Sequence, residues 1–231
     1  MKRLSAPLTF IAIQTALAVA FLWFTEGVWT RLFQYLSVLS ALSYPLLRRG
    51  VDVDRLLAVF GLFLTAVADF LLVAVGPFRI PALACFLVSQ SCHAARLDRL
   101  ASLSTRTTLP ARIALGIALT AVPLALSMPV DALSLLTPFY ASFLLFNAVV
   151  AFRARRRDPF AFTGIVFLIL CDFFILLSVG TSEGYFVLEP GSILAILGES
   201  SFNFAWLFYA ASLALLALGA VHARKESTLH V

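Results

Sequence analysis

The chain has 231 residues, of which 61% are hydrophobic and 13% charged, and its mean hydropathy is +0.99. A soluble domain carries about 25% charged residues, and one this apolar has too little polar surface to cover itself, so the composition describes an integral membrane protein. The same figures exclude a disordered chain and a disulfide scaffold, and they give no support to nucleic-acid binding, because the basic residues behind a pI near 9.5 are scattered among short loops.

A bilayer core of about 30 Å takes about 20 apolar residues per helix. In chain order the apolar runs predict spans at 6–24, 32–47, 56–75, 80–97, 109–127, 134–152, 159–179 and 202–221, forming one all-α membrane domain over residues 1–231. The first run follows Lys2 and Arg3 as a signal peptide would. It ends in Phe21-Leu22-Trp23-Phe24 with no small-residue cleavage site, so it is read as a retained span. Between the last two spans, Ile193–Leu197 reads as a small re-entrant or interfacial helix.

Lys and Arg accumulate on the cytoplasmic side of membrane proteins, which gives a second test of the count. With the N-terminus inside, the cytoplasmic segments hold Lys2, Arg3, Arg48, Arg49, Arg55, Arg96, Arg99, Arg106, Arg112, Arg153, Arg155, Arg156, Arg157, Arg224 and Lys225. Only Arg31 and Arg79 of the 17 basic residues fall outside. The alternation predicts eight spans with both termini cytoplasmic, an arrangement that suits a bacterial inner membrane. Arg96 and Arg99 are expected to snorkel, and the Arg153–Arg157 cluster to act as a topology determinant.

Thr65-Ala66-Val67-Ala68-Asp69-Phe70-Leu71 in span three resembles Leu168-Ile169-Leu170-Cys171-Asp172-Phe173-Phe174 in span seven, 103 positions later. The same offset lays the Arg48–Arg55 loop over Arg153–Arg157. Two four-helix halves in parallel orientation would produce that pattern.

A charged side chain at the centre of a spanning helix costs roughly 2.5 to 3.5 kcal/mol on insertion scales. Asp69 and Asp172 are the two acids this reading puts deep in spans, each 13 residues from the cytoplasmic start of its helix. At about 1.5 Å per residue both lie roughly 20 Å from the inner face and about 10 Å from the outer. Gln90 and Asn147 fall in the same outer half, with Tyr140 and Tyr209 nearer its surface. Thr137, Tyr140, Leu144 and Asn147 share one helical stripe, and His93 shares a face with Gln90. Together they predict a polar pocket open to the outer leaflet, although amides and phenols in membrane helices also serve plain helix–helix hydrogen bonding. Cys85, Cys92 and Cys171 sit in apolar runs without a CxxC, so they read as small core residues and no metal is expected. No Gly-rich nucleotide loop, HExxH or GxSxG is present, which argues against ATP hydrolysis, zinc proteolysis and serine-hydrolase chemistry.

These motifs resemble the lysoplasmalogenase (YhhN-like) family of eight-span membrane proteins. The resemblance rests on Tyr44-Pro45-Leu46 in span two, Asp69 followed by Phe70-Leu71-Leu72 in span three, and Phe86-Leu87-Val88-Ser89-Gln90-Ser91-Cys92-His93 in span four. It continues in Gly164-Ile165-Val166-Phe167 leading to Cys171-Asp172 in span seven, and in Tyr209-Ala210-Ala211-Ser212 in span eight. The family pattern has Lys at Tyr44, Gly at Ala68, His at Gln90 and Gln at Ser212. The resemblance implies hydrolysis of the vinyl ether of a lysoplasmalogen or related lysolipid, without metal or organic cofactor. Asp69 and Asp172 would divide the acid and base roles, and Gln90, His93, Tyr140, Asn147 and Tyr209 would hold substrate or water. Two other classes fit the same polar residues. One is a small transporter using the carboxyls as a proton relay, with prolines at 45, 81, 123 and 138 in or beside spans. The other is a lipid-binding protein without turnover, for which the exchanged residues of spans four and eight argue.

Overall fold

The structure, a computed structural model, describes residues 2–23, 27–48, 50, 52–76, 78–125, 131–182, 184, 187–189, 191–198 and 203–223. Phe24, residues 126–127 and residue 202 of the predicted spans lie outside the described residues, as do Arg49, Arg224 and Lys225 of the basic tally. Among the described residues there is no strand. The helices are α1 (Lys2–Trp23), α2 (Val28–Leu46), α3 (Val53–Asp69), α4 (Arg79–Leu100), α5 (Thr105–Leu119), α6 (Ala121–Ala125), α7 (Ala132–Ala154), α8 (Pro159–Ser182), α9 (Ile193–Gly198) and α10 (Phe204–His222). Every predicted span falls on a helix, and the short segment at Ile193 is helical too.

Among the described residues six stretches are long and apolar enough to cross a membrane: Ala6–Trp23, Val53–Val73, Thr105–Ala125, Ala132–Ala154, Pro159–Ser182 and Phe204–His222. The chain is a multi-pass membrane protein. Helices α2 and α4 fall short of that measure. The reason in α4 is its charged last turns, where Arg96, Asp98 and Arg99 follow one another.

Local chemistry sets several boundaries. Asp52 accepts the Arg55 N–H at 2.8 Å to start α3, and Asn203 accepts the Trp206 N–H at 2.9 Å to start α10. Asp131 and Ser134 form a reciprocal capping box at α7, and the backbone N–H of Ser134 holds the Asp131 carboxyl below its ordinary range. Arg55 reaches back to the carbonyls of Pro45, Arg48 and Gly50, placing a cation on the unpaired carbonyls that end α2.

The packing is inside out relative to a soluble protein. Large apolar side chains such as Leu8, Phe60, Phe63, Ile117, Val149 and Leu176 face outward, while Gln14, Ser37, Ser89, Gln90, Asn147 and Ser212 are buried. Contacts between helices fall on small residues: Ala41, Ala58, Ala68, Ala151, Ala161 and Ala217 are fully covered. A Cβ on Gly164 of α8 would stand 3.2 Å from the Ser212 carbonyl of α10. Lipid offers no hydrophobic drive between helices, so close backbone approach and internal hydrogen bonds hold them instead. Gln14 and Ser37 exchange two such bonds between α1 and α2, at 3.0 and 2.7 Å.

Helix α10 packs on α8, α2, α3 and α1, and α4 packs on α3, α7 and α5. At the end of the bundle where α4 stops and α8 starts, two ion pairs are sealed inside. Arg96 (α4) donates to Asp158, the residue before α8, at 2.5 Å and to the Gly219 carbonyl of α10 at 2.9 Å; Asp158 also accepts the Ala161 N–H at 3.0 Å. Arg112 (α5) grips both oxygens of Asp98 (α4) at 3.0 and 3.1 Å, and Thr108 donates to Asp98 at 2.6 Å. Arg96 therefore does not snorkel: it is 1% exposed, its charge met by an acid inside the bundle. Arg99 is the exposed one, paired with Asp54 at 2.8 Å. Arg112, counted with the cytoplasmic segments at the start of the fifth span, is likewise buried.

Candidate functional site

Asp69 closes α3, and the next six residues, Phe70–Val75, continue as a π-helix that ends at Gly76. Widening a helix in this way rotates the side chains that follow, and such turns recur at functional positions. Gly76 has φ +128°, which only glycine adopts without strain. Asp69 is 5% exposed, and its Oδ2 accepts the phenol of Tyr209 on α10 at 2.5 Å. Asp172, near the middle of α8 and half-buried, accepts the phenol of Tyr140 on α7 at 2.8 Å.

The two pairs share one neighbourhood. Tyr140 lies within the electrostatic reach of both carboxyls, Tyr209 within reach of Tyr140, and the Cys171 thiol within reach of both carboxyls. Phe86 of α4 packs on Tyr140 at 6.2 Å between centroids, and Trp206 on Tyr209 at 5.0 Å. The structure thus brings together four of the seven predicted site residues, Asp69, Asp172, Tyr140 and Tyr209.

The other three are placed deeper. Asn147 donates through its Nδ2 to the backbone carbonyl of Gln90 at 2.9 Å and to its side-chain oxygen at 3.1 Å. Its own Oδ1 accepts from Arg112 at 3.2 Å, so Gln90 and Asn147 continue the charged network rather than the carboxyl pocket. His93 is 3% exposed and packs on Gly61 of α3, where a Cβ would stand 3.0 Å from its Nε2. The same α3–α4 seam holds Ser89, which donates to the Gly61 carbonyl at 2.8 Å and lies 2.9 Å from the Thr65 hydroxyl. Thr137, on the predicted stripe of α7, is exposed and bonds its own helix at the Leu133 carbonyl.

Two kinds of buried acid emerge. Asp98 and Asp158 each pair with a buried arginine. Asp69 and Asp172 each face a phenol, a neutral donor that accommodates a carboxyl in either protonation state. Among the described residues no three His, Cys, Asp or Glu side chains converge as a metal site requires.

Sequence reasoning missed Tyr35 of α2, which lies within reach of the Asp69 charge and packs on Phe70 at 5.9 Å. The repeat does not signal it, because its offset of 103 positions lays Tyr35 on Pro138, two residues short of Tyr140. The buried Asp98 and Asp158 were missed because charges at helix ends read as loop residues. An acid inside the basic run Arg96–Arg99 was the available hint. No protein-family model matches the chain, and no curated protein or solved structure matches it either.

Proposed function

We propose that the protein is a lysoplasmalogenase-like membrane hydrolase that cleaves the vinyl ether of a lysolipid with Asp69 and Asp172. The observation that carries this reading is the pairing of each carboxyl with a phenol instead of a cation, inside a membrane domain whose other sealed acids are held by arginines. A carboxyl that bonds a neutral donor can work protonated or ionised, so the two aspartates can supply one acid and one base. The acid adds its proton to the alkene carbon remote from oxygen, generating an oxocarbenium ion. The carboxylate takes a proton from water as its oxygen bonds to the cationic carbon. The hemiacetal formed then breaks its other C–O bond, and the products are a fatty aldehyde and the glycerophospho-alcohol. Tyr140 and Tyr209 orient the carboxyls.

Eight spans belong to the same reading. Helices α2 and α4 have 19 and 22 residues, enough for about 28 and 33 Å. Two of the charges that lower the apolarity of α4, Arg96 and Asp98, are met inside the bundle. A four-plus-four repeat pairs α1 with α5, α2 with α7, α3 with α8 and α4 with α10. The contacts α1·α2, α2·α3, α3·α4, α4·α7 and α4·α5 then have the counterparts α5·α7, α7·α8, α8·α10, α10·α2 and α10·α1, all of which exist. The site would open toward the outer leaflet of a bacterial inner membrane.

The test is aldehyde release from a lysoplasmalogen by purified, detergent-solubilised protein. Asp69→Asn and Asp172→Asn are expected to lower turnover at least about 100-fold while leaving the thermal midpoint near wild type. Normal turnover in both variants would remove the carboxyls from the chemistry. A proton-coupled transporter draws on the buried chain from Gln90 through Asn147 and Arg112 to Asp98. Proton-dependent flux in proteoliposomes, lost in Asp69→Asn, is the outcome that would favour it.

A further inference from the structure

A concave site lies against the π-helical segment's end, apart from Asp69 and Asp172 themselves. A pocket of about 520 Å³ is lined by Arg31 and Gln34 of α2, Leu72, Val73 and Val75 of the π-helical segment, Gly76, and Arg79 at the start of α4. Its wall is otherwise apolar, so the pocket combines two guanidinium groups and an amide with a hydrocarbon surface. Arg31 and Arg79 come from different helices, and the glycine that ends the π-helix lets the chain turn between the wall and Arg79.

We propose that this pocket binds a phosphate ester carried on an apolar chain, with Arg31 and Arg79 as the phosphate ligands. Guanidinium is the side chain best shaped for phosphate, donating two parallel hydrogen bonds from a fixed fork. Gln34 adds a neutral donor one helical turn from Arg31 on the same face of α2. The position also matters. Tyr35 follows Gln34 and lies within reach of the Asp69 charge, and the wall residues Leu72 and Val73 stand three and four positions beyond Asp69. The apolar wall of the pocket therefore lies on the helical segment that directly follows Asp69. As a substrate anchor for the aspartate site the pocket rests on the hydrolytic reading; as a binding site it does not.

The purified full chain in a non-ionic detergent can be titrated with three probes: lysophosphatidylethanolamine bearing an ester-linked chain, the monoacylglycerol of the same chain, and glycerophosphoethanolamine. The wild type is expected to hold a phosphate-bearing probe at least tenfold more tightly than the monoacylglycerol. R31Q/R79Q is expected to erase that preference and keep the monoacylglycerol affinity. The exposed pair R153Q/R156Q is expected to keep the preference, which separates this site from general attraction of surface arginines. Binding of the lysolipid alone identifies a membrane lipid as the source of the phosphate, and equal binding of glycerophosphoethanolamine identifies a soluble ester. A preference that persists in R31Q/R79Q, or its absence in the wild type, overturns the proposal. Binding is read without turnover, so an inactive Asp69→Asn that keeps the preference leaves this site standing, whatever becomes of the hydrolytic reading.

Discussion

Arg112 and Tyr209 illustrate how the partner of a buried acid decides what that acid can do. Arg112 is fully covered and bidentate to a fully covered Asp98, with Thr108 and Asn147 supplying further bonds. Its Nε finds no partner, as is also true of the Arg96 Nε. Such a pair recovers the cost of desolvation only while both members are present, because removing one leaves an isolated charge in an apolar interior. Asp98→Leu and Arg112→Leu are each expected to destabilise the protein by about 3 to 5 kcal/mol, and the double variant to recover most of that loss. Thermal midpoints in detergent measure the cycle. Additive losses would mean that the two residues are not coupled. At Asp69 and Asp172 the partner is a phenol, which brings no opposite charge to such a lock.

Among the helices, α10 is held by a close approach to a buried carboxylate. Gly219 offers its carbonyl to Arg96, and a Cβ there would stand 2.7 Å from both carboxylate oxygens of Asp158. That carboxylate has nowhere to move: it bonds Arg96, caps α8 through the Ala161 N–H, and is 0% exposed. Gly219→Ala is therefore expected to cost about 1 to 3 kcal/mol in spite of alanine's better helix propensity. Gly116→Ala provides the comparison, since the group it meets is the ring of the half-buried Phe139 and not a carboxylate held by two partners. A midpoint for Gly219→Ala no lower than that of Gly116→Ala would contradict the lock at Asp158. The Arg96–Asp158–Gly219 lock joins α4, α8 and α10, three helices far apart in sequence, at one end of the bundle, while Asp69 and Asp172 lie toward the other.

For the molecule as a whole, the helices were legible because length and hydropathy fix them in lipid, and each apolar run became a helix. Asp69 and Asp172 were legible because a carboxyl in an apolar run costs too much to sit there without a polar partner. What the sequence hid was the pairing of side chains across helices. Gln90 and Asn147 lie on the expected faces yet turn toward Arg112, and the charges of α4 look like a loop until Asp158 and Asp98 are seen beside them. The same concealment bears on topology, since the two helices that miss the apolar measure, α2 and α4, are the ones on which a six-span and an eight-span chain differ. With the N-terminus inside, eight spans put Val53 in the cytoplasm and Phe78 outside; six spans, with α2 and α4 lying along the membrane, exchange those two and leave Ser104, Arg156 and Val187 unchanged. Val53 and Phe78 are 51% and 50% exposed, so cysteines there are open to a reagent. In a background with Cys85, Cys92 and Cys171 replaced, a membrane-impermeant maleimide added to intact cells is expected to label Phe78→Cys and Val187→Cys. Val53→Cys, Ser104→Cys and Arg156→Cys should react only after permeabilisation. Labelling of Val53→Cys in intact cells, with Phe78→Cys protected, would reduce the count to six and put the start of α3, rather than its π-helical end beside Asp69, at the outer surface.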